Sequence, residues 1–309
     1  MRRFILLAAL AVGVFPLASD AGFTPNAHVI LFTDYGADSI YVGILKGSIY
    51  SKYMPARVDS ITTSVPPYDI ETGAYLLAES CKEFPRGTVF CCIVDPGVGT
   101  ERKPIALRTK REQVFVAPDN GLLTLVAARD GIFEAHEITN ASLYREGGGA
   151  HPPARTDSTD APPAERVSHT FQGRDIFGPV AAAVAEGTPL REIGPEIADI
   201  TRLPIEPCRA ENGAMHGKVF RTDDYGNMVL NMTERELMTL GLKPGDTVDV
   251  SIGTTRFTAP WKPTYAGVPV GEKVLVIQSS GYVECAVNKG SLAAAIKEGV
   301  HAEAVIRKP

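Results

Sequence analysis

The sequence predicts an N-terminal α/β domain with a largely parallel sheet, followed by a small C-terminal antiparallel β domain that is barrel-like. Three observations predict this. Short apolar runs alternate with helical stretches over the first half of the chain, which is typical of strand–helix–strand units. From residue 210 onward the runs alternate between apolar and polar residues and are separated by Gly, Asp and Pro, as in antiparallel hairpins. The length of 309 residues is that of about two domains.

The N-terminal elements follow one another in the order that this fold requires. Strands are predicted over 29–32, 57–62, 88–94 and 113–117, and helices over 39–53, 69–83, 121–129 and 175–186. Sheets of this kind bind ligands beyond the carboxyl ends of their strands. Asp34 and Asp95 each follow a predicted strand, so both are candidate functional residues.

The second half of the chain is divided by proline and glycine. The Pro-punctuated segment 189–209 is predicted to link an N-terminal domain, 22–188, to a C-terminal domain, 210–309. Within the N-terminal domain, residues 147–168 contain three consecutive glycines and two proline pairs, and we expect a mobile loop there. Strands of the C-terminal domain are predicted over 217–221, 228–231, 247–252, 273–278 and 282–287.

The first 21 residues are typical of a secretory signal peptide. Arg2 and Arg3 precede an apolar run over 4–17, and small residues precede a cleavage site after Ala21. An uncleaved membrane anchor is the alternative, but the run is shorter than the ~20 apolar residues of a membrane span. We therefore expect an exported protein, periplasmic or secreted, with no membrane association after cleavage.

Charge and cysteine content exclude several classes of partner. The chain has 31 Lys+Arg against 36 Asp+Glu, a net charge of −5, and no cationic block, which argues against nucleic-acid binding. None of the five cysteines lies at zinc-site spacing, so no metal site is predicted and buried thiols are the favoured interpretation.

Polar clusters that follow apolar runs or precede helices carry a specific resemblance. They are Thr-Asp-Tyr-Gly at 33–36, Asp-Pro-Gly-Val-Gly at 95–99 with Arg102, Pro-Asp-Asn-Gly at 118–121 and Thr-Phe-Gln-Gly-Arg-Asp at 170–175. Any one of them is also a common turn or helix cap. Together with Asp-Asp-Tyr-Gly-Asn at 223–227 and Ser-Ser-Gly-Tyr at 279–282, they resemble the S-adenosylmethionine (SAM) hydroxide adenosyltransferase family, whose relatives are fluorinases and chlorinases. The resemblance covers about residues 28 to 300.

The resemblance implies a SAM hydrolase. Water or hydroxide would displace methionine from the 5′ carbon of SAM, giving adenosine and methionine without a metal or redox cofactor. The sulfonium is already a good leaving group, so the protein need only align and desolvate the nucleophile. The resemblance also implies a homotrimer, with SAM between the N-terminal domain of one subunit and the C-terminal domain of its neighbour.

Substrate-binding roles follow by resemblance in both domains. Asp34 matches an aspartate that holds the two ribose hydroxyls, and Tyr68 matches an aromatic residue over the ribose or sulfonium. Phe171 belongs to the same predicted site. The C-terminal candidates are Tyr225 stacked on adenine, Asn227 at the edge of the base, Asp223 and Ser279 at the methionine ammonium and carboxylate, and Tyr265 as a further candidate beside the base.

The predicted catalytic residues depart from the family pattern at one position. Asp95 and Arg102 match the first two members of an Asp-Arg-His trio that positions and activates water, but Gln172 occupies the third position. An amide orients water without taking its proton, so general-base assistance worth roughly 10²–10⁴-fold would be missing. His169 is a candidate substitute, although its position after the Pro-rich segment is also typical of a solvated loop histidine.

Two alternatives to hydrolysis stay open. A non-catalytic SAM- or adenosine-binding protein would explain Gln172, with Asp95 and Arg102 as a structural ion pair. Halogenation is disfavoured, because the negative Asp95 carboxylate would lie beside the site that a halide must occupy. Two unit charges ~4 Å apart repel by about 4 kcal/mol at an effective dielectric of about 20. That objection to a halide lapses if Asp95 is protonated or paired tightly with Arg102. Hydrolysis is the favoured function.

Overall fold

The computed structural model describes residues 23–145 and 167–309. The predicted signal peptide lies outside the described residues, as does the predicted mobile loop up to residue 166. Within the described residues, no helix combines the length and apolarity needed to cross a membrane.

The N-terminal half is built on a six-stranded sheet with the order β2-β1-β3-β5-β4-β6. Strands β1, β2, β3 and β5 are parallel, and β4 runs antiparallel to both β5 and β6. This confirms the predicted α/β class with a largely parallel sheet. Its elements are β1 (His28–Thr33), α1 (Ile40–Lys52), β2 (Arg57–Thr62), α2 (Ile70–Cys81), β3 (Val89–Ile93), β4 (Pro104–Thr109), β5 (Val114–Pro118), α3 (Thr124–Asp130), β6 (Ile132–Glu137) and α4 (Gly178–Glu186).

Helices cover both faces of this sheet, which is why its central strands are continuous apolar runs. Along β1, Val29 and Leu31 pack in one core cluster with α1 and α4. Ile30 and Phe32 point to the opposite face and pack in a second cluster with α2 and α3. The alternation along β1 therefore fixes which face each helix covers.

Polar side chains set the starts of the first two helices. The Ser39 hydroxyl accepts a hydrogen bond from the Tyr41 amide at the start of α1. The Asp69 carboxylate accepts the Thr72 amide at 3.0 Å at the start of α2. The helix predicted over 175–186 begins earlier, as a π-helical segment over Gly173–Phe177 that leads directly into α4.

The segment predicted as a linker packs along the N-terminal half. It contains a 3₁₀ turn over Leu190–Glu192, and Ile193 and Ile200 are buried. The Ile197 amide donates to the Ala135 carbonyl of β6 at 2.8 Å. These contacts hold the segment alongside β6, the edge strand of the sheet, before the second half begins.

The C-terminal half is an antiparallel sheet with the order β11-β10-β14-β8-β9-β13-β12, to which β7 adds by pairing with β8. The Lys262 amide donates to the Leu275 carbonyl at 2.9 Å, which joins the two ends of this order into a near-barrel. The predicted barrel-like antiparallel domain is confirmed. Its elements are β7 (Arg209–Glu211), β8 (Ala214–Thr222), β9 (Met228–Thr233), α5 (Glu234–Thr239), β10 (Thr247–Ile252), β11 (Thr255–Pro260), β12 (Lys273–Ile277), β13 (Tyr282–Val287), α6 (Leu292–Ile296) and β14 (Glu303–Arg307).

The two halves meet along α2. Among the described residues, two ion pairs cross between them, Arg221 with Glu79 at 3.3 Å and Lys218 with Glu71. A hydrogen bond between His301 Nε2 and the Asp69 carboxylate at 2.8 Å also crosses, so all three contacts use a carboxylate of α2 or its cap. Tyr75 of α2 stacks on Phe220 of β8, with ring centroids 4.4 Å apart. The C-terminal half is thus held against the helix that begins beside Tyr68.

All five cysteines are free thiols, and four of them are buried. Burial raises the pKa of Cys285 to about 12, and it raises the pKa of Cys91 and Cys92 as well. Cys208 is half-buried, and burial together with the neighbouring Glu236 carboxylate raises its pKa to about 12. The thiolate form of these side chains is therefore scarce at neutral pH.

Candidate active site

A cavity of about 430 Å³ lies beyond the carboxyl ends of β1 and β3. We call it the N-terminal cavity. Its position is the one expected for a ligand site in a parallel sheet. It is lined by Asp34, Tyr35, Tyr41, Pro67, Tyr68, Ile93, Asp95, Val98, Thr170, Phe171, Gln172 and Gly173.

Asp95, Arg102 and Gln172 form one hydrogen-bonded network at this cavity. The Arg102 Nε atom lies 3.0 Å from both carboxylate oxygens of Asp95, and Nη2 bonds to the same carboxylate. Nη2 also donates to Gln172 Oε1. The side chains of Asp95 and Arg102 are only 4% and 9% exposed, so the bidentate pair is largely withdrawn from water. The Asp95 charge is therefore neutralised within the cavity wall.

The contact to Arg102 fixes the orientation of the Gln172 amide. Because Oε1 accepts from the guanidinium, Nε2 is left as a hydrogen-bond donor. The Phe177 ring lies under the guanidinium of Arg102, 5.1 Å from its carbon, and steadies it from the other side.

Asp34 stands at the end of β1 and is held by one backbone contact. The Tyr68 amide donates to Asp34 Oδ2 at 3.0 Å. Tyr68 adopts a left-handed backbone with φ of 67°, and the residue is 73% exposed. A strained backbone at a ligand cavity is a frequent functional feature. Oδ1 of Asp34 is left to accept further hydrogen bonds.

Three aromatic rings form one wall of the N-terminal cavity. Phe171 packs edge to face against Tyr41 and Tyr35, with centroids 5.0 and 5.9 Å away. Burial, together with the charges of Asp34 and Asp95, raises the pKa of Tyr35 far above its usual value. A Cβ at Gly173 would lie 2.4 Å from the Tyr35 hydroxyl, so any side chain there would have to displace that hydroxyl.

The segment that carries Thr170, Phe171 and Gln172 is anchored by a buried carboxylate. Asp175 is 1% exposed, and its Oδ2 accepts the Ser168 amide at 2.8 Å. The same carboxylate accepts Arg174 Nε at 2.6 Å and pairs with Arg145 at 3.8 Å. Asp175 thereby anchors the cavity-lining segment whose Gln172 side chain contacts Arg102.

A second cavity, of about 710 Å³, lies in the C-terminal half. We call it the C-terminal cavity. It shares no lining residue with the N-terminal cavity. Its lining residues are Asp223, Tyr225, Asn227, Tyr265, Val287, Asn288, Lys289, Gly290 and Ser291.

Asp223 organises the turn that carries Tyr225 and Asn227. Its Oδ1 accepts the amides of Tyr225 and Asn227 at 3.0 and 2.9 Å, and its Oδ2 accepts the Asn227 side-chain amide at 2.9 Å. Gly226 has φ of 79°, and a Cβ there would lie 2.0 Å from the Ser291 hydroxyl. The turn presents the Tyr225 ring to solvent, 79% exposed, while Asn227 is buried.

Tyr265 lines the same cavity from the connection between β11 and β12. Its hydroxyl donates to Glu284 Oε1 at 2.7 Å, and Glu284 is only 2% exposed. Burial raises the pKa of the Glu284 carboxyl. Burial and the hydrogen bond to Glu284 also raise the pKa of Tyr265. The Tyr265 hydroxyl therefore keeps its proton and remains the donor in this contact.

The structure thus brings the predicted residues together in two groups. The N-terminal cavity contains Asp34, Tyr68, Asp95, Phe171 and Gln172, and Arg102 lies directly behind Asp95. The C-terminal cavity contains Asp223, Tyr225, Asn227 and Tyr265. Ser279 is exposed and lies outside both sets of lining residues.

His169 and several residues not singled out by the sequence complete the picture. His169 is exposed and does not line the N-terminal cavity, but its backbone packs against Gly99 of the Asp-Pro-Gly-Val-Gly segment. The lining residues that sequence reasoning missed include Tyr35, Tyr41 and Lys289. Tyr35 carried a signal, since it directly follows Asp34. Among the described residues, no group of three or more His, Cys, Asp or Glu side chains is arranged to hold a metal ion.

Comparison with known proteins places both halves in one family. The SAM hydroxide adenosyltransferase N-terminal domain matches residues 29–194, and the corresponding C-terminal domain matches residues 217–305. The (R)-S-adenosyl-L-methionine hydrolase of Salinispora tropica is 34% identical over 272 residues, covering 87% of this chain and 93% of that protein. A fluorinase of an Actinoplanes species is 27% identical over 296 residues, covering 87% and 93%.

A solved structure supports the same assignment. The crystal structure of an uncharacterized conserved protein from Thermotoga maritima superposes with a TM-score of 0.82 at 33% identity, covering 91% of this chain and all of that one. Sequence motifs, fold and both domain matches agree, and the chain belongs to the SAM hydroxide adenosyltransferase family.

Proposed function

We propose that this protein hydrolyses SAM to adenosine and methionine by attack of water at the 5′ carbon. The observation that carries the proposal is the N-terminal cavity, where the Asp34 carboxylate and the hydrogen-bonded network of Asp95 lie together. Asp34 and Asp95 follow adjacent parallel strands, and Arg102 and Gln172 complete the network. The similarity to the Salinispora tropica hydrolase supports the same reaction.

The binding roles are those that the family resemblance implies, and the two cavities bring most of these residues together. Asp34 Oδ1 accepts the ribose hydroxyls, and the exposed Tyr68 ring covers the ribose and the sulfonium cation. Phe171 closes the apolar wall. In the C-terminal cavity Tyr225 stacks on adenine and Asn227 meets the edge of the base.

The methionine end of SAM is held by Asp223 and Ser279. Three of the roughly four lone-pair positions of the Asp223 carboxylate are used within its own turn, which leaves one for an ammonium group. Ser279 is exposed, and its role requires that substrate or a neighbouring subunit reach it.

The reaction needs alignment more than it needs a base. The water oxygen forms a bond to C5′ while the C5′–S bond breaks, and its electron pair goes to sulfur, which leaves as a neutral thioether. The protonated alcohol that results is a strong acid, and it gives its proton to the Asp95 carboxylate and then to bulk water. Displacement of a sulfonium changes no oxidation state, so no redox cofactor takes part.

Gln172 fits this reaction as a positioning residue. Its Nε2 donates a hydrogen bond to the attacking water while Oε1 stays on Arg102. The proton leaves only after the C–O bond has formed, so the amide in place of histidine permits turnover. We therefore expect turnover without a histidine at position 172.

A homotrimer joins the two cavities into one site. The cavities share no lining residue within a chain, and the rings of Tyr68 and Tyr225 are both about three-quarters exposed. SAM that bridges the N-terminal cavity of one subunit and the C-terminal cavity of its neighbour would cover both rings. The exposed apolar side chains of Ile40 and Ile44 on α1, beside the cavity residue Tyr41, suit a subunit contact.

Mixed oligomers test this composite site. At SAM concentrations well below the raised KM of the Tyr225→Ala protein, an Asp95→Ala subunit and a Tyr225→Ala subunit are each inactive or weak alone. Co-expression places an intact pair of half-sites at some interfaces. Recovery of adenosine formation in the mixture supports the trimer. No recovery, with light scattering showing a monomer, contradicts it.

We further propose that the mature protein begins after Ala21 and is exported. Fractionation of cells that express the full-length chain, followed by N-terminal sequencing, tests both points. A protein that stays in the cytosol with Met1 intact would contradict the export proposal and leave the enzymatic one untouched.

The central experiment incubates the mature chain with SAM in halide-free and in chloride buffers, and assays adenosine, methionine and 5′-chloro-adenosine by chromatography. The assay includes material enriched in the (R) epimer at sulfur, since the Salinispora tropica enzyme is the (R)-S-adenosyl-L-methionine hydrolase. The chloride arm is needed because Arg102 neutralises Asp95 and so removes the main electrostatic objection to a halide. Adenosine formation that is lost in Asp95→Ala supports hydrolysis. Stoichiometric binding without product, with turnover appearing only in Gln172→His, identifies a binding protein.

A further inference from the structure

The Tyr35 side chain is fixed in the N-terminal cavity, and its role is unassigned. Its ring packs edge to face against Phe171 and Tyr41, with centroids 5.9 and 6.2 Å away. Its hydroxyl lies where a Cβ on Gly173, the residue after Gln172, would come within 2.4 Å. Within residues 23–145 and 167–309, no protein group forms a hydrogen bond with this hydroxyl.

A phenol hydroxyl that is fixed in a ligand cavity without a protein partner is available to substrate or water. Asp34, Asp95 and Gln172 line the same cavity, so the hydroxyl faces the region in which the C5′ carbon and its nucleophile must meet. We therefore expect this hydroxyl to find its hydrogen-bond partner in the bound complex, either on the substrate or on a water in the cavity.

We propose that Tyr35 is a catalytic residue whose hydroxyl oxygen accepts a hydrogen bond from the attacking water. This inference rests on the proposed hydrolysis of SAM and assigns one more contact of its nucleophile. Gln172 Nε2 donates to one lone pair of the water, and the other lone pair is directed at C5′. The two water hydrogens then bond to the Tyr35 oxygen and to Asp95. Four contacts fix the oxygen of the nucleophile in line with the C5′–S bond.

The electrostatics of the site keep Tyr35 in the form that this role requires. Burial and the nearby charges of Asp34 and Asp95 raise its pKa, while Arg102 opposes them more weakly. The phenol stays protonated across the working pH range, and a neutral hydroxyl oxygen still offers two lone pairs. It acts as a hydrogen-bond acceptor and takes no proton from the water.

Tyr35→Phe tests the proposal with a minimal change. The ring and its contacts with Phe171 and Tyr41 remain, and only the hydroxyl is lost. We expect kcat for adenosine formation to fall about 10- to 100-fold, since misplacement of a reacting group by ~1 Å costs up to ~10²-fold. The dissociation constant of the product adenosine should change less than twofold. Tyr144→Phe is the matched control, because the Tyr144 hydroxyl bonds to the Ile138 carbonyl and does not line this cavity.

Gly173→Ala tests the position of the hydroxyl independently. In the wild-type background the added Cβ displaces the Tyr35 hydroxyl, so kcat should fall to the level of Tyr35→Phe. In a Tyr35→Phe background the same change should cost little more, because the group that it displaces is already gone. Additive losses would show that the two changes act separately and would overturn the proposal.

The outcomes also separate this proposal from hydrolysis itself. Full kcat in Tyr35→Phe overturns the role of Tyr35 and leaves the proposed hydrolysis intact. A wild-type protein that binds SAM without forming adenosine overturns both. Loss of kcat with unchanged adenosine binding and an unchanged melting temperature supports the assignment.

Discussion

In the N-terminal cavity, Asp95 bonds to an arginine from the following loop, and that arginine reaches a glutamine at the start of a distant helix. In the C-terminal cavity, the Asp223 carboxylate accepts hydrogen bonds from residues of its own turn. The first carboxylate ties together three parts of the fold, and the second shapes one loop. A charge held across elements provides a rigid electrostatic environment suited to chemistry. A charge held within a turn presents neighbouring side chains, which suits recognition.

The difference predicts that substitutions in the two cavities change different kinetic constants. Changes in the N-terminal cavity should lower kcat, because the proposed reaction places its groups at the reacting atoms. Changes in the C-terminal cavity should raise KM, because the proposal assigns its groups to parts of the substrate that do not react.

Asp95→Ala should have the largest effect. It leaves the Arg102 guanidinium buried without its partner, and breaking such a pair costs roughly 3–5 kcal/mol of stability. We expect kcat to fall about 10³-fold or more, since the proton acceptor and the anchor of Arg102 are lost together. Steady-state assays and thermal melts measure the two effects. Asp95→Asn keeps an acceptor for Arg102, so a variant that recovers stability but not kcat separates chemistry from folding.

Gly226→Ala should be the most damaging change in the C-terminal cavity. The left-handed backbone costs about 1–2 kcal/mol for alanine, and overlap with Ser291 adds roughly 1–3 kcal/mol. Urea unfolding measures the loss, and KM should rise as the Tyr225 turn shifts. Gly213→Ala is the matched control, since its φ is 75° but its Cβ would meet nothing within 4 Å. Equal losses in the two variants would contradict the packing argument.

Tyr225→Ala should weaken substrate binding and leave kcat nearly unchanged. Stacking of a base on an aromatic side chain is worth about 1–3 kcal/mol, so KM should rise roughly 5- to 150-fold. Tyr225→Phe preserves the ring and should behave like the wild type. A fall in kcat at saturating SAM would break the division of labour between the two cavities.

The smallest expected effect concerns Asp69, which joins the two halves. Burial would raise its pKa, but hydrogen bonds from Thr72 and His301 outweigh burial and hold the pKa below its usual value. A carboxyl whose pKa is lower in the folded than in the unfolded state stabilises the fold at pH values above its unfolded-state pKa. This stabilisation is lost as the pH falls through the folded-state pKa. Asp69→Ala should therefore cost about 1 kcal/mol at pH 7, much of it from the lost helix cap, and less near pH 3.

Asp69→Asn sharpens that measurement. Asparagine still caps α2 but does not titrate, so its stability should follow pH less steeply than that of the wild type between pH 5 and 3. Urea unfolding across this range provides the test. A wild-type curve that matches the Asp69→Asn curve would show that the titration of Asp69 contributes nothing to stability.

Much of the fold was predictable because local patterns determine it. The apolar runs at β1 and β3 are buried on both faces, and the polar residues that follow them lie at the carboxyl edge of the sheet. Strand β4 was missed because Pro104 and Arg108 interrupt its apolar pattern. In the structure, Arg108 is buried against Glu134 and the Phe133 ring, so its charge is compensated by a strand that only the fold brings near.

The site was predictable in membership but less so in contacts. The motif residues Asp34, Asp95 and Asn227 were found because their types and spacing are distinctive. The bond from Arg102 to Gln172 joins residues 70 positions apart, and no local pattern encodes it. The place of the Tyr35 hydroxyl depends on the close approach of Gly173, which is likewise a tertiary property.

The buried thiols have a consequence for biogenesis. A cysteine whose thiol is shielded from solvent and kept protonated is a poor substrate for oxidants and for disulfide exchange. The folded protein therefore holds its shape without a disulfide among these cysteines, and its buried thiols are shielded from oxidants. The same thiols are exposed while the chain is unfolded, so oxidation is a hazard of folding rather than of the native state.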